Sequence, residues 1–210
     1  PMVHRTWTLE CNWKTFLDNN AERYHVPSVH PRWTRALAVE RVDFEAIGRH
    51  HLFSVSLANY GWRRVIDRWT TPRGVAVPAA EAMRYQRYHL FPNLLVSATP
   101  QSTTVFRVFP EGVDRCRFEY EFLVAAGASP LVRARARLAQ WMSERIVEED
   151  NAILSRVQRG LAALPADTVL PLHREEQALR HFHGIVAEFV AGGDGSDDSG
   201  TRNSPSALSR

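Results

Sequence analysis

The sequence predicts an α+β fold, an antiparallel sheet laid down first and helices packed on it afterwards. Three observations carry that expectation. The stretch DRCRFEYEFLVAAG alternates strictly, with Cys116, Phe118, Tyr120 and Phe122 on one side and Arg115, Arg117, Glu119 and Glu121 on the other, the mark of a sheet with one covered and one wet face. Two further strand-like runs, RYHLFPNLLVSATP and STTVFRVFPEG, precede it, the first interrupted at Pro92-Asn93 and the second closed by a Pro-Glu-Gly turn. After Pro130 the period changes to that of a long helix, with Leu131, Leu138, Trp141 and Met142 leading to Asp150 and Gly160 as the stop.

Taken in order, the opening PMVHRTWTLE has neither a basic leader nor an apolar core and does not read as a signal peptide. A helix over Phe16 to His25 would put Glu22 and His25, three apart, on one face. Pro27 disfavours helical geometry at Val26, so that helix is expected to end there, with His30 on the turn beyond and the chain bend bringing the two imidazoles together. Arg32 to Ala46 is mixed and charged and reads as a connecting loop or short helix at a pocket mouth. HLFSVSLANYG reads as a strand closing in a turn at Asn59 to Gly61, and TTPRGVAVPAAEAM, with Pro72, Gly74 and Pro78, as a loop over the site.

Beyond the long helix, PADTVLPLH reads as a loop and HREEQALRHFHGIVAEFV as a second amphipathic helix with Ala178, Phe182, Ile185 and Phe189 on one side. His181 and His183 are two apart, point to different sides, and are read as packing or surface residues, as are His50, His51 and His89. From Gly192 the chain is rich in Gly, Ser and Asp. The expected organisation is one catalytic domain over residues 1–191 and a disordered tail over 192–210.

Composition narrows the class. Hydrophobic residues make up 44% of the 210, enough for one well-filled core. No run of 18 apolar residues occurs, so no membrane span is expected. The net charge of +3 is too small to argue for nucleic acid. Lys14 is the only lysine among 26 basic residues, and the RARAR cluster at Arg133, Arg135 and Arg137 reads as a solvated helix face or a partner contact. The two cysteines, Cys11 and Cys116, read as small buried apolar residues, and their number fits a reducing cytoplasm. Beginning at Pro1, the chain is expected to be a piece of something longer.

The chemistry concentrates in NWKTFLDNNAERYHVPSVHP, which places Glu22, His25 and His30 close together. Neutral imidazoles suit Fe, Zn, Cu or Ni, and two His with one carboxylate and open positions suit non-heme Fe(II). A third ligand is offered downstream in RIVEEDNAILSRVQRGL. On a helix Asp150 shares its face with Ile146, Ile153, Leu154, Val157 and Leu161, while Glu149 falls to the flank and Glu148 to the opposite side. A carboxylate in an apolar stripe needs a metal ion or a buried arginine to offset its desolvation, and both remain open from the pattern alone.

These two segments resemble the metal-binding motifs of Rieske-type non-heme iron oxygenase α-subunits (aromatic-ring-hydroxylating dioxygenases), NWK…(E/D)N…(E/D)xYHxxxxHP and ED…VQ.GL. The similarity runs from about Trp7 to about Val190. The resemblance implies a helix-grip (START-like) domain, an antiparallel sheet wrapped around a long C-terminal helix. It implies Fe(II) ligated by His25, His30 and Asp150, with Glu22 linking the iron to the [2Fe–2S] cluster of a neighbouring subunit in a homotrimer. Asn19 matches the family's asparagine before the acid, whereas Asn20 stands where an aromatic residue is common. The implied activity is hydroxylation of a small organic substrate with O₂, drawing electrons from a Rieske domain and a reductase. The motif forms lean towards a branch that includes choline- and carnitine-type monooxygenases and aromatic-acid oxygenases. An aromatic cage for a quaternary amine would draw on Trp33, Tyr60, Trp62, Tyr85 and Tyr88. The Cys-x-His and Cys-x-x-His pairs of a Rieske cluster are not present: Cys11 precedes Asn-Trp-Lys and Cys116 precedes Arg-Phe-Glu. The rival expectations are a metal-free helix-grip domain that binds a hydrophobic ligand and a hydrolytic zinc enzyme using the same three ligands.

Overall fold

The computed structural model describes residues 1–32, 39–57, 84–99, 101–165, 167–173 and 176–192. The expected loop over the site, the turn at Asn59 to Gly61 and nearly all of the expected tail lie outside those residues.

Seven strands form one antiparallel sheet: β1 (Val3–Leu9), β2 (Val39–Ile47), β3 (His50–Leu57), β4 (Arg84–Leu90), β5 (Leu94–Ala98), β6 (Thr103–Pro110) and β7 (Cys116–Leu123). Their spatial order is β1-β7-β6-β5-β4-β3-β2, so the first strand closes one edge beside the last and the remainder is a meander. Among the described residues four helices accompany the sheet: α1 (Trp13–Ala21), α2 (Val26–Val29), α3 (Pro130–Ala162) and α4 (Gln177–Val190). The architecture is α+β, as expected.

The alternation in β7 is borne out residue by residue, Cys116, Phe118, Tyr120 and Phe122 all being buried. Across the sheet they meet Trp7 and Leu9 of β1 and Phe106 and Val108 of β6, and with Phe16 and Leu17 of α1 they form the main core. Cys11 and Cys116 are fully buried free thiols, 3.9 Å apart.

Two stretches depart from expectation. Residues 39–46 belong to β2, an edge strand, rather than to a loop or short helix. Charged residues interleaved along an edge obscure the period of two while keeping the edge from pairing with other chains. Within it Phe44 is half-buried and Glu45 exposed. The N-terminal VHRTWTL is also a strand, its inward residues Val3, Trp7 and Leu9 lying opposite Phe122, Phe118 and Cys116.

α3 starts as its sequence dictates. The Ser129 hydroxyl accepts the Val132 amide at 3.4 Å, and Pro130 occupies the first turn, where it needs no amide hydrogen. The helix continues through Gly160 to Ala162, 33 residues in all. The residues it buries are Val132, Ala136, Val147 and Leu154, whereas the expected Leu131, Leu138 and Trp141 are exposed, as are Val157 and Leu161. At 1.5 Å per residue such a helix is about 50 Å long, while an eight-residue strand spans about 27 Å. One sheet cannot cover so long a helix, so apolar residues towards its ends face outward. α4 buries Ala178, Leu179, Phe182 and Ile185, and Phe189 lies half out of the core.

Candidate metal centre

α1 delivers the first half of the site. Asn12 caps it, its side-chain oxygen accepting the Lys14 amide at 3.0 Å. The helix ends at Ala21, before Glu22 and His25, so these two do not share a helical face. The cause is local competition. The Glu22 carboxylate accepts the His25 amide at 3.2 Å, taking the donor that a continuing helix would send to the Ala21 carbonyl. Pro27 does not terminate a helix but sits in the first turn of α2, where proline is well tolerated. His25 and His30 therefore flank the four-residue α2 on either side.

α3 delivers the other half. Asp150 Oδ1 lies 3.0 Å from His30 Nε2 and 3.5 Å from His25 Nε2. One ligand atom from each of His25, His30 and Asp150 lies within 4.8 Å of the other two. The two imidazoles stand nearly edge to face, their centroids 5.4 Å apart. The expectation that these three residues meet at one point holds, across 120 residues of chain.

Each imidazole is held from behind. His25 Nδ1 donates to Glu22 Oε1 in a short contact, and His30 Nδ1 donates to Glu149 Oε2 at 2.8 Å. Because a carboxylate only accepts, each ring carries its proton on Nδ1 and turns the Nε2 lone pair towards Asp150. Glu149 was read from sequence only as a flanking residue. The signal was present in the acidic run Glu148-Glu149-Asp150, where neighbours 100° apart on a helix can both reach a group at its flank. Glu148 points away and pairs with Arg145 at 2.8 Å.

The donor set fits a cation. Asp150 Oδ1 is buried and makes no hydrogen bond, a costly arrangement that a positive ion relieves. Burial acts to lower the His30 pKa, but the neighbouring carboxylates of Asp150 and Glu149, which favour the protonated ring, outweigh it, and the net shift is upward. Two nitrogens and one carboxylate oxygen match borderline metals, and the hard-oxygen cations less well. The alternative of a buried arginine beside Asp150 finds no support among the described residues, where the nitrogens close to its carboxylate are His25 Nε2 and His30 Nε2.

Further contacts fix the site to the fold. Gln158, two turns beyond Asp150, accepts the Asn12 amide at 2.7 Å and the Thr15 hydroxyl at 3.3 Å, locking the start of α1 to α3. The Tyr24 hydroxyl donates to Glu176 at 2.7 Å, and His183 of α4 meets Asp18 of α1 at 2.8 Å. Asn19 sits in the last turn of α1, and its buried Nδ2 makes no hydrogen bond, as is true of both polar atoms of Asn151 beside Asp150. The other histidines stay outside the centre. His51 and His89 are buried between the sheet and α4 with ring centroids 4.6 Å apart, and burial holds their pKa values down to about 3 and about 4. His181 Nε2 lies 3.2 Å from the His50 carbonyl. Of the aromatic-cage candidates, Trp33, Tyr60 and Trp62 fall outside the described residues.

Comparison with known proteins agrees with this geometry. The sequence profile of the family described as "Ring hydroxylating alpha subunit (catalytic domain)" matches residues 2–192. The chloroplastic choline monooxygenase of Beta vulgaris is 25% identical over 195 residues, covering 90% of this chain and 40% of that protein. The carnitine monooxygenase oxygenase subunit of Escherichia coli K12 is 22% identical, covering 84% of this chain and 46% of that protein. The chain thus spans less than half the length of these relatives. The fold matches the quaternary ammonium Rieske monooxygenase CntA in complex with L-carnitine, with a TM-score of 0.66 at 16% identity over 89% of this chain and 48% of the other. It also matches naphthalene 1,2-dioxygenase from Rhodococcus sp. bound to indole, with a TM-score of 0.59 at 16% identity over 88% of this chain and 55% of the other. The chain belongs to the ring-hydroxylating α-subunit family and comprises its catalytic domain.

Proposed function

We propose that the chain is the oxygenase half of a Rieske-type enzyme, in which His25, His30 and Asp150 hold one Fe(II) and a small organic substrate is hydroxylated beside it. The observation that carries the reading is the convergence of those three ligand atoms, with both histidine Nδ1 atoms committed to carboxylates. Bound by these three side chains, iron would supply O₂ activation.

The protein's own part is orientation and charge. Glu22 and Glu149 set the tautomer and orientation of each imidazole, and Asp150 adds the single negative charge among the ligands. Glu22 is also the proposed bridge to a [2Fe–2S] cluster, whose ligands are not in this chain and which a Rieske domain of a neighbouring subunit in a homotrimer would supply. Asn19, with its uncommitted amide, is proposed to support the same bridge. Without a Rieske donor and a reductase the domain is expected to be inactive. A cytoplasmic enzyme is proposed, and among the described residues no helix is long and apolar enough to cross a membrane. The relatives named for choline and carnitine, and the dioxygenase bound to indole, point to a quaternary amine or an aromatic compound as the substrate class.

The test is O₂ uptake and product formation by the full-length subunit with its reductase. Asp150→Ala is expected to lose both iron and turnover. Glu22→Gln, compared at full iron loading, is expected to lose about 10–100-fold in turnover. Full turnover in Asp150→Ala, or a wild type that binds a hydrophobic ligand while holding well under one iron per chain, would reject the oxygenase reading.

A further inference from the structure

Arg87 stands on β4 between Tyr85 and His89, on the sheet face shared by Leu95, Ser97 and Phe106. That is the face on which α1 and α4 pack, since Phe16 meets Phe118 and Phe182 meets His89. Among the described residues the guanidinium is held by neutral groups. Its Nε donates to the Ser97 hydroxyl at 3.1 Å and the Tyr85 hydroxyl at 3.2 Å, and Nη2 donates to the Tyr85 hydroxyl at 2.6 Å. Nη1 donates to the Asn20 carbonyl at 3.1 Å and to its side-chain oxygen at 2.9 Å. The rings of Tyr85 and Phe106 lie 5.5 and 5.6 Å from its central carbon.

Other arginines show what is missing. Arg5, Arg107, Arg115, Arg117 and Arg145 each lie against a glutamate. Among the described residues Arg87 has no carboxylate within ion-pair distance. An inward-facing cation fixed by three side chains, with no carboxylate partner among the described residues and one Nη2 hydrogen to spare, is costly unless a ligand supplies the anion. The spare Nη2 hydrogen can give an anionic oxygen one charge-assisted hydrogen bond, and the positive charge favours a carboxylate over its neutral amide. Asn20 is in the last turn of α1, two residues before Glu22, so the guanidinium sits at the point where the chain leaves the helix for the metal ligands.

We infer that Arg87 is a carboxylate subsite and that the substrate is a small organic acid, its acid group anchored at Arg87 on the side of the sheet that bears the metal centre. This rests on the oxygenase reading above. A bare quaternary amine without an acid group would meet a cation there, and the Tyr85 ring is already occupied by that cation.

The test is calorimetric titration of the wild type, Arg87→Gln and Arg87→Lys, as iron-loaded and as metal-free protein, with two matched pairs of probes: benzoate against benzamide and butyrate against butyramide. The expected result is at least tenfold tighter binding of a carboxylate than of its amide in the wild type. Arg87→Gln should abolish that preference with iron content unchanged, and Arg87→Lys should retain part of it. Equal binding of acid and amide in both pairs overturns the proposal, as does a preference that survives in Arg87→Gln. Loss of iron in Arg87→Gln also overturns it, because Arg87 would then be only a strut for the end of α1. A wild type that binds no iron but still prefers carboxylates in the metal-free titration would reject the oxygenase reading and leave the subsite standing.

Discussion

Two carboxylates behind the metal ligands decide what the imidazoles of His25 and His30 can do. Glu22 and Glu149 each accept a hydrogen bond from an Nδ1–H, so both rings turn the Nε2 lone pair inward. Replacing Glu149 by Gln keeps the size and removes the charge. Metal affinity is expected to fall about 10–100-fold, measured by competition with a chelator, and an unchanged affinity would remove Glu149 from the site. Asp150 was legible from sequence because helical periodicity alone put it on the apolar face of α3. Glu149 was not, since its partner His30 lies 119 residues away and only the packing of α1 and α2 against α3 brings them together. Asn20 was visible only as an oddity in the motif. Its role as a partner of Arg87 depends on the placement of β4, which no local pattern specifies.

α1 and α3 act as two jaws, and their separation is set by contacts outside the centre. Gln158 ties the α1 N-terminus to α3, and His183 ties α1 to α4. Truncating Gln158 to Ala removes the acceptor for the Asn12 amide and the Thr15 hydroxyl. The expected cost is about 1–3 kcal/mol in chemical denaturation, accompanied by weaker metal binding. Leu154, one turn beyond Asp150 and 1% exposed, is the apolar anchor of the same face. Leu154→Ala should cost about 2–5 kcal/mol, and a variant as stable as the wild type would show that α3 is not seated through this residue. The strands from β4 to β7 were legible because their turns and alternation are clean. β2 and the end of α1 were not: charges on an edge strand hide its period, and a glutamate side chain breaks a helix that propensity would continue.

The molecule as a whole joins a sheet core near β1 and β7 to a polar half in which histidines meet from both layers. His51 and His89 are buried neutral, with pKa values lowered from 6.5 to about 3 and about 4. A base with a depressed folded-state pKa favours folding above its unfolded pKa, and that advantage is lost as pH falls towards the folded value. Below about pH 6.5 the unfolded chain takes up protons that the folded state refuses, at about 1.4 kcal/mol per pH unit for each histidine. Denaturant midpoints should therefore fall between pH 6.5 and pH 4, and His89→Gln should make the fall shallower; an identical pH slope in the variant would contradict this. The family-wide fold sets these layers, and the site occupies the seam where α1, α2 and α3 meet.

The most direct measurement is a crystal of the iron-loaded protein, grown anaerobically, with anomalous diffraction recorded on both sides of the iron edge. One anomalous peak is expected, at a coordination distance of about 2.0–2.2 Å from His25 Nε2, His30 Nε2 and an Asp150 oxygen. An anomalous peak elsewhere, or three ligands turned apart with no peak between them, would contradict it.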